Sequence, residues 1–405
     1  MIVSCGEALV DFVPARDALG RPAFVPLPGG SPFNVAIAAA RLGARVAFSG
    51  AVSNDLFGTL LDDALAGSGV GRELVERVGD PTPLAFVALA DGEATYAFFD
   101  RGATYRRAGR IALPPETSIV HAGSLALAVE PAGESLATFV LAERGRRLLS
   151  LDPNIRPSFV DDEPRYRARL ERLVAGCDIV KVSASDLEWL APGASFESLA
   201  AAWLARGAGL VAITLGGEGV RAYRRAGVRE RRAPAVRVID TVGAGDTFCG
   251  AFLAALDRDG VGGRAALEAY DDDRLDRALD DATFAAALVC TRAGADSPTA
   301  AELAAYRAAN PLAARAAHRD RVDDGSEPET ADAEDDRARP RRAEEIDPAD
   351  RGDDRRDGIA PHSIGRAAAA RAPDDERGDL RERADEDAAC RERRDDRIER
   401  KEAGR

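Results

Sequence analysis

The stretch Val236-Arg-Val-Ile-Asp240-Thr-Val-Gly243-Ala244-Gly245-Asp246-Thr247-Phe248-Cys249-Gly250-Ala251-Phe252-Leu253 is the most informative segment of the chain. An apolar run reads as a strand, a small-residue turn follows, and Phe248, Phe252, Leu253 and Leu256 then recur at helical spacing. The turn therefore sits at a helix N-terminus. There the backbone N–H groups of Gly243, Ala244 and Gly245, together with the helix dipole, form an anion hole. Only small residues let a phosphate approach that backbone closely. Asp246, in the first helical turn, faces the same place and can take the proton of an attacking hydroxyl. Alone, Asp246 reads equally as a helix-end carboxylate worth about 0.3–1 kcal/mol.

Two more glycine-rich sites, in order along the chain, shift that balance. Pro28-Gly29-Gly30-Ser31-Pro32-Phe33-Asn34 opens a helix whose apolar stripe is Val35, Ala38, Ala39 and Leu42 and which stops at Gly43. Gly29 and Gly30 would bring backbone groups to a polyol, and Asn34 offers both a donor and an acceptor. Asp11, at the end of Gly6-Glu-Ala-Leu-Val-Asp11, can accept two sugar hydroxyls. Ile213-Thr214-Leu215-Gly216-Gly217-Glu218-Gly219 ends a strand in a turn where Thr214, Gly216 and Gly219 can meet nucleotide phosphates. Each site alone is also a plain cap or turn; their combination is the signal.

Around these segments, short apolar runs at residues 2–4, 46–48, 119–121, 148–151, 179–182 and 211–214 alternate with helical patterns at 34–42, 134–144 and 196–206. That rhythm predicts an α/β fold with a mostly parallel sheet covered on both faces. Two stretches, about 12–28 and 82–102, alternate as strands around turns, including Asp91-Gly92, and predict a small β-lid over the sheet's carboxyl edge.

The bulk numbers exclude several classes. The net charge of -14 argues against nucleic acid as a partner. No apolar run is long enough to span a bilayer, and Met1-Ile-Val-Ser-Cys-Gly6 reads as a strand rather than a signal peptide, so a cytoplasmic location is expected. The five cysteines form no CxxC pair and there are three histidines, which argues against a zinc centre. Lysine occurs only at Lys181 and Lys401. The chain therefore has neither a Walker A Gly-Lys-Ser/Thr nor a protein-kinase strand lysine before Asp-Phe-Gly. Lys181 reads as a strand residue packing its aliphatic stem. Between Pro311 and Arg405 there are 22 basic and 29 acidic residues without a sustained apolar stripe. Residues 1–308 are thus expected to fold as one domain, with 309–405 as a charged, disordered tail.

Together these segments resemble the PfkB/ribokinase family of carbohydrate kinases, and within it the fructokinases. The resemblance covers about residues 1 to 300. It implies a three-layer ribokinase-like sandwich with a lid, MgATP as phosphoryl donor, and a homodimer joined through the lids. It implies Asp246 as base, Gly243, Ala244 and Gly245 as the anion hole, and Asp11, Gly29, Gly30 and Asn34 at the sugar. Asp152-Pro-Asn154-Ile-Arg156 resembles the fructokinase Asp-x-Asn-x-Arg segment and puts Arg156 near sugar or phosphate. Ser183 and Asp186 stand where the family has an Asn-x-x-Glu motif tied to magnesium. Asp240, Val242, Val289, Arg292, Gly294 and Ser297 match a potassium site found in many relatives. Fructose is the expected substrate. The alternatives are 2-keto-3-deoxygluconate, ribose or a nucleoside, or a catalytically silent sugar-binding regulator.

Overall fold

The computed structural model describes residues 1–90, 93–107 and 111–310. The turn at Asp91-Gly92 and the tail beyond Asn310 lie outside the described residues.

Thirteen strands form two sheets among the described residues. They are β1 (Ile2–Cys5), β2 (Leu9–Arg16), β3 (Pro22–Gly29), β4 (Val46–Ser53), β5 (Val75–Val78), β6 (Leu84–Ala90), β7 (Glu93–Phe99), β8 (Ile119–Gly123), β9 (Leu148–Asp152), β10 (Ile179–Ser183), β11 (Leu210–Thr214), β12 (Val220–Arg224) and β13 (Gly227–Arg231). The large sheet has the order β13-β12-β11-β10-β9-β8-β1-β4-β5. Its members from β11 to β5 run parallel, and β12 and β13 close the other edge antiparallel.

Strand alternation assigns each side chain to a face. Ile2, Ile119, Leu148, Ile179 and Leu210 enter one apolar core, packed by the helices Ser31–Arg41, Ala244–Arg258 and Asp272–Val289. Their neighbours Val3, Val120, Leu149, Val180 and Val211 enter a second core under the helices Ala132–Ala142, Glu163–Gly176 and Phe196–Arg206. Near-continuous apolar strands buried on both faces are what a doubly covered parallel sheet requires. The fold is therefore a three-layer α/β/α sandwich.

Two expectations change. Helix Ser31–Arg41 is buried from Ser31 through Ala39, not along one stripe, because it is wedged between the sheet and helix Ala244–Arg258. Residues 232–240 form no strand. Val238 and Ile239 are 57% and 64% exposed, and the amides of Ile239 and Asp240 both donate to the carbonyl of Cys290, at 2.8 and 3.3 Å. The β-branched run is a connector lining the cavity described below, which explains why it carries strand-like residues without strand partners.

The second sheet has the order β3-β2-β6-β7. β2 pairs antiparallel with β3 and parallel with β6, and β6 pairs antiparallel with β7. Phe12 and Phe86 stack at 4.5 Å between ring centroids, with Phe24, Phe57 and Phe99 edge-on around them. Leu19, Phe24, Val25 and Phe99 remain exposed on it.

Candidate active site

The strand ends, the glycine turns and the small sheet enclose one cavity of about 780 Å³, within the range of small-molecule sites. Asp11, Gly30 and Asn34 line it, and so do Thr214, Gly216 and Gly219. Gly243, Ala244, Gly245 and Asp246 line it as well.

The sugar-side elements fit together through missing side chains. Gly30, the N-cap of its helix, has φ 105°, and a Cβ there would lie 2.7 Å from the Glu7 carbonyl. A Cβ on Gly29 would lie 2.3 Å from Asp11 Oδ2. Gly29 thus abuts the Asp11 carboxylate rather than lining the cavity itself. Burial, then the neighbouring Asp246 charge, pushes the Asp11 carboxyl up to about 7, with Arg156 opposing. Arg156 lines the cavity, and its guanidinium donates to Asn154 Oδ1 at 2.7 Å.

Helix Ala244–Arg258 begins at Gly243, in the left-handed region at φ 75°. A Cβ on Gly243 would meet the Ala295 side chain at 2.5 Å, so only glycine fits. The Ala244 amide donates to the Thr241 carbonyl at 3.2 Å. This corrects the expected three-amide hole: Ala244 is engaged, while Gly245 and Asp246, in the first turn, have no intrahelical acceptor by position. Asp246 is 7% exposed. Its Oδ1 accepts from Ser31 Oγ at 2.6 Å and Asn154 Nδ2 at 3.3 Å, and its Oδ2 accepts from Asn34 Nδ2 at 2.9 Å.

Lys181 differs from its sequence reading. Its ammonium is buried and donates to Asp152 Oδ2 at 2.8 Å. A Cβ on Gly245 would lie 2.9 Å from that nitrogen, so the charge sits directly against the turn. Burial opposes the ammonium, but Asp152 outweighs it and holds the lysine charged. Burial pushes Asp152 up to about 6 despite Lys181, so both partners are ionised at neutral pH. The signal was available: this is the lone lysine in a folded region that otherwise uses arginine. Ser31 and Asn154 were also passed over, though both lie inside the quoted motifs.

On the nucleotide side, Gly216 has φ 57° and Gly219 has φ 106°. A Cβ on Gly219 would strike the Arg231 carbonyl at 1.9 Å. Thr214 Oγ1 donates to the Val182 carbonyl at 3.3 Å, so its hydroxyl oxygen can still accept. Ser183 caps helix Ala184–Leu190 in a reciprocal box with Asp186. Asp186 accepts from Ile155 N at 2.7 Å, Ser183 N at 2.9 Å and Ser183 Oγ at 2.6 Å. Three donors therefore already occupy the Asp186 carboxylate, the residue expected at magnesium.

Among the described residues no group of three or more His, Cys, Asp or Glu side chains could hold a metal ion. That donor set fits a magnesium ion carried mainly by nucleotide phosphates, which needs only one or two protein carboxylates. The expected potassium residues divide. Val242 and Gly294 line the cavity, whereas Asp240, Val289, Arg292 and Ser297 do not. Asp240 nevertheless ties the two loops, accepting from Val242 N at 3.0 Å and Gly294 N at 2.8 Å. The Val289 carbonyl accepts from Arg292 N at 3.0 Å. The Arg292 guanidinium turns away to Asp296 and Glu302, and Ser297 Oγ pairs with Thr247 Oγ1 at 2.7 Å. No helix among the described residues is long and apolar enough to cross a membrane.

A buried carboxylate in the first turn of a helix, sharing one cavity with the glycine turns, fits a phosphotransferase acting on a hydroxyl acceptor. Comparison with known proteins makes the class specific. The chain belongs to the pfkB family of carbohydrate kinases, whose model matches residues 1–302. It is 40% identical over 281 residues to a fructokinase of Rhizobium leguminosarum bv. trifolii, covering 68% of this chain and 85% of that relative. The crystal structure of a Xylella fastidiosa fructokinase with bound ATP aligns with a TM-score of 0.68 at 29% identity, over 76% of this chain and 98% of that one. A Vibrio cholerae fructokinase bound to fructose, ADP and potassium aligns with a TM-score of 0.66 at 27% identity, over 75% and 97% of the respective chains.

Proposed function

We propose that this chain transfers the γ-phosphoryl group of ATP to a primary hydroxyl of fructose. The observation that carries this reading is the position of Asp246, in one cavity with both the sugar-side and the nucleotide-side glycine turns. Asp11, Gly30 and Asn34 hold the sugar hydroxyls, with Gly29 leaving room for Asp11 and Arg156 closing the acceptor side. Thr214, Gly216, Gly219 and Ser183 hold the nucleotide phosphates. Asp246 accepts the proton of the hydroxyl as its oxygen bonds to the γ-phosphorus. The bond from that phosphorus to the bridging oxygen breaks, and the electron pair leaves on ADP. The Gly243–Gly245 turn and the Lys181 ammonium behind it oppose the negative charge that develops.

Magnesium, when bound with the nucleotide, would neutralise phosphate charge, and Asp186 is the carboxylate that would hold it. Potassium would be held at the two loops tied by Asp240. The exposed Leu19, Phe24, Val25 and Phe99 of the small sheet join two copies through their lids. Light scattering tests this: wild type runs as a dimer and Phe24→Asp as a monomer, whereas a monomeric wild type refutes it.

ADP release across a panel of fructose, ribose, 2-keto-3-deoxygluconate and nucleosides, with and without potassium, tests the main reading. Fructose gives the highest kcat/KM. Preference for another acceptor would move the assignment to that kinase, and no ADP release with any acceptor would favour a silent sugar-binding protein.

A further inference from the structure

We infer that Ser31 is a positioning residue for Asp246, fixing the aim of the base through a direct hydrogen bond. The inference rests on the reading of Asp246 as the proton acceptor. Ser31 is the first residue of its helix, after the N-cap Gly30. Its hydroxyl reaches across to Asp246 Oδ1 at 2.6 Å, within the range of hydroxyl–carboxylate bonds.

Its aim is set from behind by buried groups. The Ser31 amide donates to Glu7 Oε1 at 3.3 Å, and Glu7 Oε2 accepts from the Ala126 amide at 3.1 Å. Ser4 Oγ donates to the carbonyl of the next residue, Pro32, at 2.7 Å. Ser31 is 7% exposed and Glu7 1%. The hydroxyl is thus held by β1, by the link between β1 and β2, and by the segment after β8, not by its own helix.

The bond has a consequence for the base. With Ser31 and Asn154 on Oδ1 and Asn34 alone on Oδ2, the oxygen left with room for the sugar hydroxyl is Oδ2.

The test uses the full chain with ATP and fructose, and the variants Ser31→Ala, Ser31→Thr, Asp246→Asn and the Ser31→Ala/Asp246→Asn pair. Ser31→Ala is expected to lower kcat about tenfold with the ATP KM within twofold. Ser31→Thr restores kcat. In the Asp246→Asn background the serine change costs less than twofold, because coupled residues are not additive. If Ser31→Ala fails to fold, Ser31→Cys fills the same volume with a weak donor and carries the same expectations. The inference is overturned if Ser31→Thr does not recover the loss, or if the serine change costs the same in both backgrounds, which is the mark of a merely structural role. Wild-type turnover in Asp246→Asn would instead refute the assignment of the base.

Discussion

Gly29→Ala separates the sugar site from the rest of the molecule. A Cβ at residue 29 would lie 2.3 Å from Asp11 Oδ2 and 3.2 Å from Leu9 Cδ1. Opening 2.3 Å to an ordinary contact of about 3.4 Å moves the carboxylate by about 1.1 Å. The backbone at Gly29 is not in the left-handed region, so alanine adds no backbone strain. A misplacement of about 1 Å in a site of this kind costs about a hundredfold, or about 2.7 kcal/mol of transition-state stabilisation. ADP release measured against fructose at saturating ATP should therefore show kcat/KM reduced about a hundredfold. The ATP KM stays within twofold, because the nucleotide turn is untouched, and stability stays within about 1 kcal/mol. A kcat/KM for fructose within threefold of wild type would refute the role given to Asp11.

Further outcomes follow from the same geometry. Asp11 is raised from its ordinary 3.8 to about 7. The folded state therefore holds this proton more tightly, and the stability it contributes at low pH is lost as pH rises from about 4 to about 7. The fructose KM should fall between pH 6 and 8 as Asp11 ionises, and Asp246→Asn should shift that dependence to lower pH by removing the neighbouring charge. Lys181→Met leaves the buried Asp152 unpaired and should cost about 3–5 kcal/mol in urea unfolding at pH 8, less at pH 5 where Asp152 takes a proton, with Asp152→Asn recovering most of it. Truncation after Asn310 should leave activity and melting temperature unchanged; a loss of either would give the charged segment a role.

The sheet was legible because parallel strands buried on both faces leave continuous apolar runs, as at residues 148–151 and 179–182, and because the glycine turns mark where backbone must come close to a ligand. The same logic misread residues 236–239, whose two valines line a cavity instead of pairing in a sheet. Lys181, Ser31 and Asn154 escaped for a different reason. Their roles depend on partners far along the chain: Ser31 and Asp246 are 215 residues apart, Asn154 and Asp246 are 92 apart, and Lys181 and Asp152 are 29 apart. Local spacing shows that a serine or lysine is present, but only the folded topology shows what it faces. The anion hole was read one amide too generously because a turn's own hydrogen bond, Ala244 to Thr241, depends on loop geometry that composition does not encode.

The central claim is that Asp246 deprotonates a fructose hydroxyl as ATP is cleaved. The direct measurement is fructose-dependent ADP release by the wild type and by Asp246→Asn, with circular dichroism to verify that both fold. Loss of general-base catalysis should lower kcat by at least about a hundredfold while the fold is retained. A folded Asp246→Asn enzyme with turnover near that of the wild type would contradict the account.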